Sequence, residues 1–453
     1  MLFTFNSNQT KKLIGIWILL LNSIIVFAAY LDVYESPRAE LEILTTLNWL
    51  LIAVLLSNTL PKGTWSICYI FYVSFGIFHG GLILANSIGG ISDEDILYQI
   101  SFWFNKEATS NAIHLINLAF LGFGLGAIFF SKPIENLDKP LLSDVDYDRR
   151  LFHFGGVFLV LITLVFFLVG ASTGAIYSYG AYLAVVDSIP IVGIIFTYIY
   201  MFIGLSLVFI AVTYQKGFGY SYFVLFALWS MFAFKLGLRG EVMFPCAVAA
   251  CMLGRKGKPI NGLVLLLGVC VFLIFAGIVK NARISGDYSA GASFNPMNAV
   301  AEMGSSLRAV QEVVSWRVNG DELMLGASYW APFERQLALV LPQMERIPSA
   351  DDERLLNVTV IKRAGPIGFS PVAEAYINFG ESGVFAVFLL LGSLLAYLDN
   401  QTSKTRYDIL LGVSLVPVFI MIRNSFAHVP VQIIIGQFVA LTFMFLAKKK
   451  KAL

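Results

Sequence analysis

Long apolar runs separated by short polar joints are the dominant pattern of this chain. A hydrocarbon layer of about 30 Å takes roughly 20 apolar residues when crossed by a helix. Twelve runs approach that length, near 13–31, 41–60, 65–85, 111–131, 151–171, 189–214, 217–234, 241–254, 262–279, 383–398, 408–422 and 430–447. The eighth is short and begins beside Arg239, Glu241 and Pro245, which predicts a broken helix. The first follows Lys11-Lys12 and contains Phe27-Ala28-Ala29. A cleaved signal peptide competes there with a retained anchor, and the length of the run favours the anchor.

Residues 280–382 break the rhythm. The stretch Pro296 to Val318 is amphipathic, with apolar residues at helical spacing from Ala299 to Val314. An apolar patch runs from Met324 to Trp330. Ser370-Pro371 is an N-cap followed by proline at the first helical position. It predicts a short helix through Phe379 that stops at Gly380, with Glu374 and Asn378 on one face. The segment reads as a partly helical cap with a polar site against the membrane surface, because connections of this length usually carry function. The expected organisation is a bundle over 1–279, a cap over 280–382, and three last spans with a basic tail over 383–453.

Composition sharpens the class. The chain is 58% hydrophobic and 13% charged, against about 25% charged residues in a soluble domain. There is too little polar side chain to cover a water-soluble fold, and too much apolar and aromatic side chain for disorder. The predicted class is therefore all-α: a polytopic helical bundle of about twelve membrane spans. A net charge of +2 excludes a nucleic-acid binder driven by bulk charge.

The placement of the charges sets the topology. With the N-terminus inside, 17 of the 31 Lys and Arg fall on cytoplasmic segments. Only 5 lie in short outer loops, and 9 lie in 280–382. That is the asymmetry of the positive-inside rule, and it puts both termini in the cytoplasm. The inner set holds 13 Lys and 4 Arg, the outer set 4 Lys and 10 Arg. Lysine orients a protein equally well, so topology does not account for an outer arginine set. Arginine grips phosphate or carboxylate through paired, planar hydrogen bonds.

Three outer connectors concentrate these cations: Lys235 to Glu241, Lys280 to Arg283, and Arg423 to His428. One such cation alone is a snorkelling anchor. Three beside a cap point to an anion site. Arg308 and Arg317 are reserves within the cap, and Arg335, deeper in it, is expected to tolerate lysine. His79, His114 and His153 read as packing residues, and the glycines of Gly122 to Gly126 as a close helix contact. Cys68, Cys246, Cys251 and Cys270 lie in apolar runs without a CxxC pair, so no zinc or disulfide framework is expected. No Walker, Rossmann, HExxH or GxSxG motif is present.

Three motifs then carry a family resemblance. They are the Lys235–Glu241 connector, Gly365-Pro366-Ile367-Gly368-Phe369-Ser370 leading into Glu374-Ala375-Tyr376-Ile377-Asn378-Phe379-Gly380 and Gly383, and the Arg423-Asn424-Ser425 corner. With the span architecture, they resemble the Wzy family of bacterial O-antigen polymerases. The resemblance implies a GT-C-like enzyme of the inner membrane, acting at its periplasmic face on oligosaccharide repeat units carried by undecaprenyl pyrophosphate. It implies no cofactor and no metal. It implies contact with the lipid bilayer and with a Wzz-type chain-length co-polymerase. On this reading the catalytic candidates are Arg239, Arg283 and Arg423, which face developing pyrophosphate charge, with Glu374 and His428 as base or orienting groups. Lys235, Glu241, Lys280, Arg308, Arg317, Ser370, Tyr376, Asn378 and Asn424 form the expected substrate-binding set. Glu374 is equally readable as a carboxylate that stabilises the cap. A ligase that moves finished O-antigen onto its lipid acceptor, and a non-enzymatic flippase or transporter, remain open alternatives.

Overall fold

A computed structural model describes residues 7–31, 37–132, 145–257, 295–341, 343, 344 and 346–448. Every regular element among them is helical. The helices are α1 (Ser7–Leu31), α2 (Arg38–Thr59), α3 (Ile67–Ser87), α4 (Glu94–Ser101), α5 (Glu107–Phe130), α6 (Val145–Thr173), α7 (Tyr179–Ser188), α8 (Pro190–Thr213), α9 (Ser221–Lys235) and α10 (Arg239–Arg255). They continue with α11 (Pro296–Met303), α12 (Leu307–Val318), α13 (Ala327–Val340), α14 (Leu356–Ala364), α15 (Pro371–Asp399), α16 (Thr405–Ile420) and α17 (Val429–Ala447). Among the described residues nine helical stretches are long and apolar enough to cross a membrane. The chain is an all-α polytopic membrane protein.

Eleven of the twelve expected spans coincide with helices, and α4 and α7 are short helices between them. The run at 262–279 lies outside the described residues. The spans at 217–234 and 241–254 form α9 and α10, which are 15 and 17 residues long. Pro245 does sit inside α10. Its ring packs where a Cβ on Gly204 would come within 2.8 Å, so a glycine on α8 accommodates the proline.

The chain folds into two compact units. The first holds α1–α5, α11–α15 and residues 421–430. Its axis is α5, buried along nearly its whole length, against α15. Gly122 and Gly126 face the α15 backbone so closely that a Cβ on either would sit 2.5 Å from Phe385 O or 2.1 Å from Leu389 O. Gly392 answers from α15, 2.3 Å from Phe123 O on the same measure. Small residues spaced by four let two membrane helices touch backbone to backbone. Polar side chains join the bundle elsewhere. Asn22 donates to Asn48 at 2.6 Å, Asn48 to Asn117 at 2.9 Å, and Asn117 to Thr45 at 2.7 Å, linking α1, α2 and α5. Asp399 at the end of α15 accepts from the Ile67 and Cys68 amides at 3.0 Å each, and so caps α3.

The second unit holds α6–α10, α16 and most of α17. An aromatic core of Phe152, Phe166, Phe196, Tyr200 and Trp229 fills it. Arg255 on α10 and Asp408 on α16 form a fully buried pair at 3.1 Å, and Ser403 donates to the same carboxylate at 2.5 Å.

Helical periodicity over 299–314 is realised as two helices rather than one. A 3-10 turn at Gly304–Ser306 divides α11 from α12. A Cβ on Gly304 would lie 1.9 Å from Leu82 N, so the turn presses its backbone onto α3. Leu307, Val310, Val313, Val314 and Trp316 are then buried, which makes α12 part of the bundle. The predicted stop at Gly380 is a kink. Its φ of 70° and ψ of −161° leave the helical region, but α15 resumes at once. The apolar run that follows has no alternative to helix within a membrane.

Candidate functional site

In the first unit the chain reverses at 421–428 through two 3-10 turns, Met421–Arg423 and Phe426–His428. Three other elements hold this corner by its main chain. The Phe369 amide donates to Arg423 O at 3.1 Å. The Ser425 amide donates to Asn357 Oδ1 of α14 at 3.0 Å. The Phe426 amide donates to Glu374 Oε2 of α15 at 2.6 Å. Ser425 Oγ accepts from the Ala427 amide and caps the second turn.

The glycine-rich stretch before α15 makes this approach possible. Gly365 and Gly368 have φ of +85° and +76°, in the left-handed region that glycine occupies at no steric cost. A Cβ on Gly368 would stand 3.2 Å from Arg423 O and 3.6 Å from both Arg423 Cγ and Nε. Backbone, corner and arginine side chain thus share one close contact. Ser370 then caps α15, accepting from the Val372 and Ala373 amides at 3.1 and 3.4 Å. Its hydroxyl also meets His79 Nε2 at 2.8 Å, which ties the cap to α3.

Glu374 and Asn378 share a face of α15, as their spacing predicts. Both are buried and meet at one serine. Ser328 donates to Glu374 Oε1 at 2.8 Å, and Asn378 Nδ2 donates to Ser328 Oγ at 2.7 Å. Asn378 Oδ1 accepts from the Gly326 amide at 2.9 Å. Both Glu374 oxygens are engaged in joining α13 and the 421–428 corner to α15. Arg423, Asn424 and His428 are partly exposed at that corner. His428 Nε2 is buried and has no hydrogen-bond partner among the described residues. Tyr376 is also partly exposed on α15.

The remaining candidates sit elsewhere. Lys235, Arg239 and Glu241 belong to the second unit, around the α9–α10 turn at Gly237 (φ +80°). Lys235 is exposed, while Arg239 and Glu241 are partly buried in the first turn of α10. Lys280 and Arg283 lie outside the described residues. Arg308 pairs with Glu312 at 3.7 Å on its own helix and lies over the Phe102 ring at 5.0 Å. Arg317 donates to the carbonyl of Asp321. Arg335 is no neutral position: it is buried, donates to Ile347 O at 2.6 Å and pairs with Asp352 at 3.2 Å. Arg354 grips Glu334 through two hydrogen bonds of 2.8 and 3.1 Å and Asp352 through two more of 2.9 and 3.1 Å. Burial alone would raise the Asp352 pKa, but the hydrogen bonds from Arg354 and Arg335 outweigh it and hold this carboxyl below its ordinary value.

Sequence reasoning missed Ser328, Asn357 and His79 as parts of this assembly. Their neighbours along the chain give no sign of the partners they meet, which come from 46, 68 and 291 positions away.

The family model described as "O-antigen polysaccharide polymerase Wzy" matches residues 13–451. The chain belongs to that family. It is thereby a polysaccharide polymerase, with a glycosyltransferase-type activity. Protein CapE of Staphylococcus aureus is 24% identical over 374 residues, covering 81% of this chain and 80% of that protein. No solved structure matches the chain significantly.

Proposed function

We propose that the chain polymerises oligosaccharide repeat units borne on undecaprenyl pyrophosphate, at the periplasmic face of the inner membrane. The growing chain would pass from its carrier to a sugar hydroxyl of a new lipid-linked unit. The bond between anomeric carbon and pyrophosphate oxygen breaks, and its electrons leave with undecaprenyl pyrophosphate. The acceptor oxygen bonds the anomeric carbon, and its proton passes to a base or to the departing pyrophosphate.

The observation that carries this reading is the 421–428 corner. It carries both Arg423 and His428, whose Nε2 has no hydrogen-bond partner among the described residues, on a backbone fixed by Phe369, Asn357 and Glu374. Prepositioned donors aimed at developing charge are the main source of rate in such a displacement. Arg423 would hold the pyrophosphate, and Arg239 and Arg283 are candidates for binding the anion on their sequence positions alone. His428 would orient or deprotonate the acceptor. Glu374 would act through the corner it holds. The outer arginine excess supports an anionic ligand on that face, and a Wzz-type co-polymerase is the expected protein partner.

The lipopolysaccharide of a deletion strain tests the reading against its rivals. Core bearing a single repeat unit is expected. Bare core would instead mean a ligase or a flippase.

A further inference from the structure

Helix α13 presents an apolar stripe to the outside of its own unit. Trp330, Phe333 and Leu337 recur at intervals of three and four, hence on one face, Leu341 follows them at the C-cap, and all four are exposed. On the opposite face Ser328, Ala331 and Arg335 are buried, while Leu339 near its end is exposed. The charges of the helix are both paired. Arg335 is paired with Asp352, and Glu334 is gripped by Arg354.

The position of α13 relative to the bilayer follows from its attachment. The Met324 and Leu325 amides donate to Ile377 O and Asn378 O at 3.0 and 3.1 Å. These carbonyls lie at the end of α15 from which its membrane-crossing part departs. Asn378 lies five positions before Gly383, where the apolar run resumes, with the Gly380 kink between them. A helix attached at this level lies along the membrane boundary, where interfacial helices bury an apolar face about 5–10 Å into the headgroup and acyl region. With 14 residues, α13 spans only about 21 Å, too short to cross.

The link into α13 carries a second sign. Leu325 has φ +49°, a left-handed conformation that a leucine adopts only under constraint, and its side chain is 78% exposed. Phe379, also exposed, lies beside it across Gly326. Leu325 and Phe379 extend the stripe toward the lipid-facing surface of α15. The exposed apolar side chain of Leu325 is unfavourable in water and appropriate where the surroundings are acyl chains.

We propose that α13 is an interfacial helix whose stripe of Trp330, Phe333, Leu337 and Leu341, continued by Leu325 and Phe379, is seated in the bilayer leaflet around the outer end of α15. The occupant of this surface is lipid. Because α13 also carries Ser328, the contact of Phe333 with Phe426 at 6.2 Å couples the corner to the membrane surface. The proposal concerns membrane seating and holds whether or not the chemistry above is right.

Nitroxide labels test it. The full chain, with its four native cysteines replaced, would carry one label at Trp330→Cys, Leu337→Cys or Leu341→Cys, and as a water-exposed control at Ser349→Cys. Each variant is reconstituted in phosphatidylethanolamine–phosphatidylglycerol vesicles, and collision with oxygen is compared with collision with a water-soluble nickel chelate. The three stripe positions should favour oxygen severalfold over the control. Equal ratios at stripe and control would overturn the proposal. So would stripe labels shielded from both reagents, since that result means a protein, a second copy included, covers the face. Three stripe positions keep the test decisive if one variant fails to fold.

Discussion

At the residue scale, Arg423 and Glu374 make different contributions to one corner. Arg423 is partly exposed and its backbone is clamped against Gly368. Its guanidinium offers a fork of donors, whereas a lysine offers a point charge. Arg423→Lys should therefore lower polymerisation by about 10²–10³, the cost of one transition-state contact of this kind. Arg239→Lys should behave alike. The read-out is a single-repeat product on the gel with normal protein levels in the membrane. Arg346→Lys, at an exposed position of the cap, is the appropriate control. A full ladder from both site variants would reduce these arginines to interface anchors.

Glu374 is a separate case, because both its oxygens are occupied by Ser328 and the Phe426 amide. A positioning role predicts that Glu374→Gln keeps most activity, since the amide oxygen still accepts from Phe426 and the amide nitrogen donates to Ser328. Glu374→Ala should lose activity, leaving a buried N–H unpaired at about 1–3 kcal/mol. Ser328→Ala should weaken activity in the same direction without any change in the pH profile. If Glu374 were the general base, Glu374→Gln would itself cost about 10²–10⁴ in rate. Kinetics of purified variants on a lipid-linked repeat unit separate the two.

At the element scale, an ion network holds α13 to the loop that follows it. Arg335, Asp352, Arg354 and Glu334 fasten α13 to the 347–354 loop. Lysine at 335 cannot reproduce both contacts, so Arg335→Lys is expected to loosen the cap. Asp352→Asn should do so more strongly, because it leaves two guanidinium groups short of charge. The sign of the pH effect follows from the lowered pKa of Asp352. Its contribution is complete above the unfolded value, about 3.9, and is lost as pH falls through the lower folded value. Limited proteolysis in the 343–354 loop should therefore stay slow at neutral pH and accelerate only below about pH 4. In Asp352→Asn the faster cleavage should be present at neutral pH. Equal rates for both proteins at pH 7 would show that the network does not fasten the cap.

At the scale of the whole molecule, the topology is the boldest expectation from charge alone. Both termini and the 399–407 loop should face the cytoplasm, and the cap the periplasm. An impermeant thiol reagent on whole cells should label Ser349→Cys and spare Lys404→Cys, both at exposed positions. The reverse pattern would invert the bundle and remove the corner from the periplasm.

The apolar pattern by itself determined that the chain is a helical membrane protein and where most of its helices run. Hydrocarbon leaves the backbone no partner but itself, so a run of sufficient length reports its own conformation. Local rules likewise announced the Ser370 cap, the shared face of Glu374 and Asn378, and the close packing at Gly122 to Gly126. Tertiary structure decided the rest. It made Gly380 a kink and divided the 299–314 pattern at Gly304, because α3 presses there. It turned Arg335 from a spare cation into a buried support. It also revealed Ser328, Asn357 and His79 as the residues that hold Glu374, Ser425 and Ser370. Such contacts join side chains that no periodicity relates, because they depend on which elements meet rather than on the order of residues within any one of them.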